Sequence, residues 1–311
     1  MWLINIKNKY KMKIYDCFQF FNEFDVLDIR LSTLYDHVDY FVISETNKTH
    51  SNMDKPYYFD ENKHLFEKYM DKIIHVKECY PDDILKFQKK EESNPYNDVY
   101  NSISDIYDKE EHENELKRWP NFCRDYLQRE YIKLGLINCE DDDLIMVSDL
   151  DEISNPDVID RIREGNIVDK CLMQNCYYYY VNMVAHTNWY GAYVVKYSKT
   201  KDVSLTHLRN ESKSYERIDN AGWHFSFVGG PDRVKNKIQS YSHQEFNNPY
   251  ILNGIEQRIN NKQDPFGRGN HTYSNPIQTF YYENMLVTDM SECPEKMVKL
   301  IREKYSYLIR E

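Results

Sequence analysis

The first glycine in this chain of 311 residues is Gly135, and only nine occur in all. A G-x-G-x-x-G turn or a P-loop, whose backbone amides cradle phosphates at a helix N-terminus, cannot be built before that point. Neither an N-terminal dinucleotide-binding fold nor a P-loop NTPase is therefore expected. The charge balance sharpens the constraint: 40 Lys and Arg stand against 51 Asp and Glu, a net of −11. Such a chain does not grip nucleic acid through bulk charge, so no nucleic-acid partner is expected. A phosphate-bearing ligand needs local help against that field. With 41% hydrophobic and 29% charged residues, the chain reads as an α/β globular protein rather than a membrane bundle or a disordered tail.

Seven cysteines without a C-x-x-C pair indicate neither a zinc site nor a disulfide framework. Reduced thiols and a cytoplasmic location fit them. The sequons at Asn47, Asn210 and Asn270 arise by chance in an Asn-rich chain. Residues 1–12 are lysine-rich and read as an N-terminal extension, with Met12 as an alternative start. They do not read as a signal peptide or anchor, and no transmembrane segment is expected.

Residues 13–22 (KIYDCFQFFN) predict a buried strand. Residues 24–37 predict a helix with Leu27, Leu31 and Leu34 on one stripe, and 39–46 (DYFVISET) a second strand ending on a carboxylate. Residues 65–72 read as helical and 72–76 as a third strand, so strands alternate with helices, as in a parallel sheet with crossovers. The polar stretch 81–114 reads as a loop or lid. A helix over 116–134 is closed by Gly135, LIMV at 144–147 is an apolar strand, and Pro156 opens a helix to 163. Aromatic strands are expected at 171–181, 189–197 and 222–228, and helices at 231–243 and 294–305. The whole reads as a single domain, 13–311, with a nucleotide-facing half (13–155) and an acceptor-facing half (156–311).

Ser148-Asp149-Leu150-Asp151-Glu152 follows LIMV, at the strand end where open α/β sheets bind ligands. Carboxylates at i and i+2 can share one Mg²⁺ or Mn²⁺, which can bridge phosphate oxygens in place of the missing glycine loop. A D-x-D triplet alone is weak, because a solvated turn explains most of them. The buried strand before it and E-I-x-x-P after it favour function. Asn22-Glu23 and Glu45 close the first two strands on the same edge, where they can hydrogen-bond a ribose or base. A helix N-cap explains Asn22-Glu23 equally well.

The string YDCFQFFNEFDVLDIRLSTLYDHVDYFVISET at 15–46 resembles the opening of glycosyltransferase family 17. LIMVSDLDEISNP at 144–156 is similar to the family's strand-SDxDEIP segment. Arg124, Gln128 and Arg129 match its R-x-x-x-Q-R-N helix, and Gly222, Trp223, His224 and Ser226 its G-W-H-x-S strand. His243, Gln244 and Glu245 match an H-Q-E helix end of microbial members. Ser154 stands for the usual proline and Glu130 for the usual Asn. Animal members carry a Golgi anchor, which has no counterpart here, and a microbial or viral enzyme is expected.

The resemblance implies a GT-A type fold, expected as a mainly parallel central sheet flanked by helices with a smaller mixed sheet on the acceptor side. It implies inversion at the anomeric carbon, a divalent metal, a UDP-sugar donor (UDP-N-acetylglucosamine) and a glycan or other hydroxyl acceptor. Asp151 is then the metal ligand, Asp149 binds metal or ribose, and His224 is a further ligand or an ordinary core histidine. Arg124 or Arg129 contacts the diphosphate or uracil, or pairs with Asp125 or Glu130. Glu245 is the expected base, with Asp219 and Asp232 as rivals. Trp189, Tyr190, Trp223 and Phe225 stack on sugars or fill the core. Asp151→Ala is expected to stop transfer and spare the fold by relieving repulsion. The rival readings are a metal-dependent hydrolase on the same acidic edge and a non-catalytic carbohydrate-binding protein.

Overall fold

The computed structural model describes residues 12–80, 120–268, 272–274 and 279–311. The expected lid at 81–114, residues 1–11 of the extension and the Asn270 sequon lie outside them.

Strand β1 (Ile14–Gln19) pairs in parallel with β2 (Tyr40–Thr46) on one side and β4 (Leu144–Val147) on the other, and β2 pairs in parallel with β3 (Ile73–Glu78). Alternate side chains enter opposite cores. Ile14 and Phe18 join Phe41, Ile43, Leu144 and Met146 on one face; Tyr15 and Cys17 join Val42, Ile145 and Val147 on the other. Burial on both faces is why these strands read as apolar runs without alternation. Helices α1 (Phe24–Leu34), α3 (Pro156–Gly165) and α6 (Glu295–Lys304) pack apolar side chains into the first core. Helices α2 (Pro120–Tyr131) and α4 (Leu205–Glu211) pack into the second. The 65–72 segment is a 3₁₀ turn (Lys63–Tyr69) behind a short helix at Tyr58–Asn62.

Beyond β4 the sheet changes direction. β7 (Met183–Lys196) is antiparallel to β4 and to β6 (Lys170–Tyr178); β9 (Gly222–Ser226) is parallel to β6; β5 (Glu152–Ser154) is antiparallel to β9. β8 (Glu216–Ile218) lies beside β6, β11 (Thr279–Tyr281) and β12 (Leu286–Val287) lie beside β7, and β10 (Thr272–Ser274) pairs with β11. The sheet is mixed rather than mainly parallel, and no separate acceptor-side sheet exists among the described residues. The reason is the length of β7: its 14 residues pair with β4 near their C-terminal end and with β11 and β12 near their N-terminal end. One strand joins what the sequence presents as two sheets.

Helix α5 (Pro231–Ser240) starts at Pro231 after Gly229-Gly230, both at positive φ. The end of the chain returns to α1. Asp28 accepts from Lys304 Nζ at 2.6 Å and from the Tyr305 hydroxyl at 2.8 Å, and Asp25 accepts from Arg233 and the Tyr307 hydroxyl. All seven cysteines are free thiols. No helix among the described residues is long and apolar enough to cross a membrane.

Candidate active site

The C-terminal ends of β1, β2 and β4 share one edge of the sheet, and there β4 runs into the turn 148–151. That turn is held from beneath by Arg30 of α1, a fully buried side chain. Its Nη1 donates to the carbonyls of Asp149, Leu150 and Glu152 at 2.7, 3.0 and 3.1 Å. Nε donates to Asp16 Oδ2 at 2.8 Å and Nη2 to Ser148 Oγ at 2.6 Å. The guanidinium also stacks 4.2 Å from the Phe18 ring. One planar, five-donor group thus ties three backbone carbonyls of the turn and its exit to Ser148 and Asp16. Both acidic side chains of the turn then line a cleft of about 750 Å³.

The two carboxylates carry different counter-charges. Asp149 accepts from Arg129 Nη2 at 3.2 Å and from Arg209 Nη2 at 2.9 Å. Burial works to raise its carboxyl, but Arg209 and Arg129 outweigh this and hold it below the usual carboxylate range. Asp151 accepts from Lys237 Nζ at 2.6 Å, and His224 Nε2 stands 3.4 Å from its other oxygen. Here too burial is overcome, by Lys237 and then His224, and the carboxyl is driven far below its ordinary value. Lys237 stays protonated: burial lowers it, while Asp151 and Glu23 raise it more. The removal of Asp151 therefore does not relieve repulsion. It leaves Lys237, a quarter exposed, with Glu23 and the buried His224 with Cys176, so the gain expected from relieved repulsion does not arise.

Glu152 completes the arginine side. Its carboxylate is fully buried and accepts from Arg209 (2.8 Å), Trp189 Nε1 (2.7 Å) and the Asp149 amide (2.9 Å). Space for it comes from Gly191, where an added Cβ would lie 2.1 Å from Glu152 Oε1. The Gly191 carbonyl in turn accepts from Arg209 at 2.8 Å. Behind His224, Cys176 Sγ lies 3.4 Å from Nδ1. Burial opposes the Cys176 thiolate, but His186 and His224 pull the thiol down to about 6. Cys176 and Asp151 hold the His224 imidazole well above its usual value against the effect of burial.

Among the described residues, no three His, Cys, Asp or Glu side chains converge on a cation position. Asp151 and His224 nonetheless offer an oxygen and a nitrogen 3.4 Å apart facing one cleft. A hard dication that takes its remaining ligands from phosphate and water needs no larger protein set. Asp151 fits such an ion, and His224 joins it as a ligand when its ring is neutral; Asp149, held between two guanidiniums, does not offer itself.

Of the other expected site residues, Arg129 and Glu23 line the cleft with the acidic turn, as do Trp189 and Tyr190. Glu245 lines it as well, with His243 Nδ1 2.7 Å from its Oε1. Asn22 and Asp232 line a neighbouring cavity of about 340 Å³. Three residues line neither cavity. Glu45 is fully buried, accepting from the Phe59 amide at 3.0 Å between Lys55 and His75. Arg124 donates instead to the His50 carbonyl at 3.2 Å. Asp219 lies exposed in the turn before β9 and lines neither cavity. Trp223 and Phe225 are core residues rather than part of the large cleft. Asn22-Glu23 precedes α1 without a side-chain cap.

Arg30, Arg209 and Lys237 carry most of the positive charge at the turn, and sequence reading gave none of them a role. Arg30 interrupts the apolar stripe of α1, a signal available in the sequence. Arg209 sits on α4, whose Ser204 N-cap, accepting from the His207 amide at 2.9 Å, was the visible cue. Lys237 had no local signal.

Residues 2–100 and 83–309 match glycosyltransferase family 17. No curated protein matches the chain. The chain belongs to glycosyltransferase family 17 and is a glycosyltransferase enzyme.

Proposed function

We propose that this family 17 enzyme transfers N-acetylglucosamine from UDP-N-acetylglucosamine to a hydroxyl of a glycan, with inversion at the anomeric carbon, on a GT-A type fold. The observation that carries the reading is the acidic turn after β4, fixed by Arg30 and opening on a cleft that also holds Arg129, Arg209 and Lys237. The cations answer the need for local positive charge in a protein of net charge −11. The parallel block β3-β2-β1-β4 supplies the donor half (13–155), and 156–311 supplies the acceptor side and part of the counter-charge.

In this reading Arg209 and Arg129 bring positive charge to the diphosphate end of the cleft while staying fixed by their own carboxylates. Asp151 and His224 would hold a divalent ion, Mn²⁺ or Mg²⁺. When bound, that ion takes up charge on the leaving diphosphate. Glu245 accepts the proton of the acceptor hydroxyl as it attacks, with His243 fixing the carboxylate. Trp189 and Tyr190 present ring surface to the sugars.

Calorimetry with UDP, with and without Mn²⁺, followed by a UDP-release screen across UDP-sugars, tests the reading. Metal-dependent UDP binding and donor turnover are expected, and Glu245→Gln is expected to lose turnover while retaining UDP. UDP binding indifferent to metal overturns the cation assignment; no UDP binding at all overturns the donor.

A further inference from the structure

We propose that Lys237 is an exchangeable place-holder: its ammonium occupies the cation position at Asp151 in the free enzyme and passes to the donor diphosphate when nucleotide and metal arrive. The inference rests on the cation assignment made above, and adds to it a residue of α5 that changes partner.

Lys237 Nζ is 2.6 Å from Asp151 Oδ2 and 3.5 Å from Glu23 Oε1. It therefore stands on the same carboxylate that, with His224, fits a dication. An ammonium and a dication cannot share that carboxylate at such separations without strong like-charge repulsion. One must yield. Lysine is the group built to do so: a compact point charge on a flexible four-carbon stem, unlike the arginines gripping Asp149. Its side chain remains a quarter exposed.

The surroundings give it somewhere to go. Lys237, Asp151 and Glu23 belong to the linings of both cavities, of about 750 and 340 Å³. Lys237 thus stands where the two cavities adjoin, and its flexible stem already lines the larger cleft. A diphosphate bound there presents anionic oxygens beside the ion that displaced it. Nothing comparable is open to Arg209, whose donors are spread over Asp149, Glu152 and the Gly191 carbonyl.

Mn²⁺ binding, read from the spectrum of the unbound ion with and without saturating UDP, tests the exchange on the full chain. Without UDP, Lys237→Met is expected to bind Mn²⁺ about 10-fold more tightly than the parent, because the competing cation is gone. With Mn²⁺ present, its UDP affinity is expected to fall about 10-fold, because a charged hydrogen bond to phosphate is gone. Lys237→Arg keeps the counter-charge, and with it a folded protein, and is expected to retain the parent's weak metal binding and most of its UDP affinity. Equal Mn²⁺ affinity in parent and Lys237→Met, with UDP-dependent Mn²⁺ binding intact, overturns the exchange alone. An Arg variant that behaves like the Met variant also overturns it. Absence of Mn²⁺ binding to the parent even with saturating UDP overturns the cation assignment itself, and the exchange with it.

Discussion

Asp149 and Asp151 are two residues apart on one turn, yet the two sides of that turn are built differently. On the Asp149 side, Arg129 and Arg209 each engage several acceptors, including Asp125, Gln19 and the buried Glu152. Planar guanidiniums with fixed multiple partners make a rigid frame. On the Asp151 side the counter-ions are an ammonium and an imidazole, each meeting the carboxylate through a single nitrogen. Neutralising a carboxylate is thus a different task from keeping it available, and the choice of partner residue separates the two.

The comparison sharpens most under Asp151→Asn. Transfer should fall by about two orders of magnitude, as expected for losing a main electrostatic contact at the reacting centre. Stability should fall less than for a change on the arginine side, since Lys237 retains Glu23 at 3.5 Å and reaches solvent. Steady-state rates and urea midpoints on the same samples check both. An Asp151→Asn protein with parental turnover breaks the assignment.

Arg209→Met comes next. It leaves Glu152 buried without its main cation, and about 3 kcal/mol of stability should be lost. Arg209→Lys should recover little, because one ammonium cannot reach both Asp149 and Glu152 in the fork geometry. Recovery to near the parental urea midpoint would remove the rigid-frame distinction.

The smallest effect is acidic. The Asp149 carboxyl lies below its ordinary 3.8 in the folded protein. Its stabilising share is therefore complete above pH 3.8 and fades as pH falls through the lower folded value. Asp149→Asn should flatten the loss of thermal stability in that acidic window and leave the slope near neutrality unchanged. An unchanged acidic slope would show that the two arginines do not hold Asp149 as described.

Much of the parallel block β3-β2-β1-β4 was legible in the sequence. β1, β2 and β4 are apolar on both faces, and the acidic turn is the abrupt polar end of one of them. The partners of that turn were hidden, because Arg30 and Lys237 meet it across separations of about 120 and 86 residues. No window of sequence contains such a contact. Glu45 misled for a related reason: it does end a strand, but Lys55 and His75 cover it. The continuity of the sheet was concealed by irregularity. β6 and β7 shift register around Gln174 and Cys176, and Asn188 takes a φ of 54°, so His186–Asn188 looks like a break between two strands.

Arg30 belongs to α1, and α1 is clasped by residues near the other end of the chain through Asp28, Lys304 and Tyr305. These partners are 276 and 277 positions apart. During synthesis, the helix that anchors the acidic turn therefore waits for residues 304 and 305 to emerge before Asp28 finds these partners. Such a long-range closure slows maturation and leaves α1 only partly packed on the nascent chain.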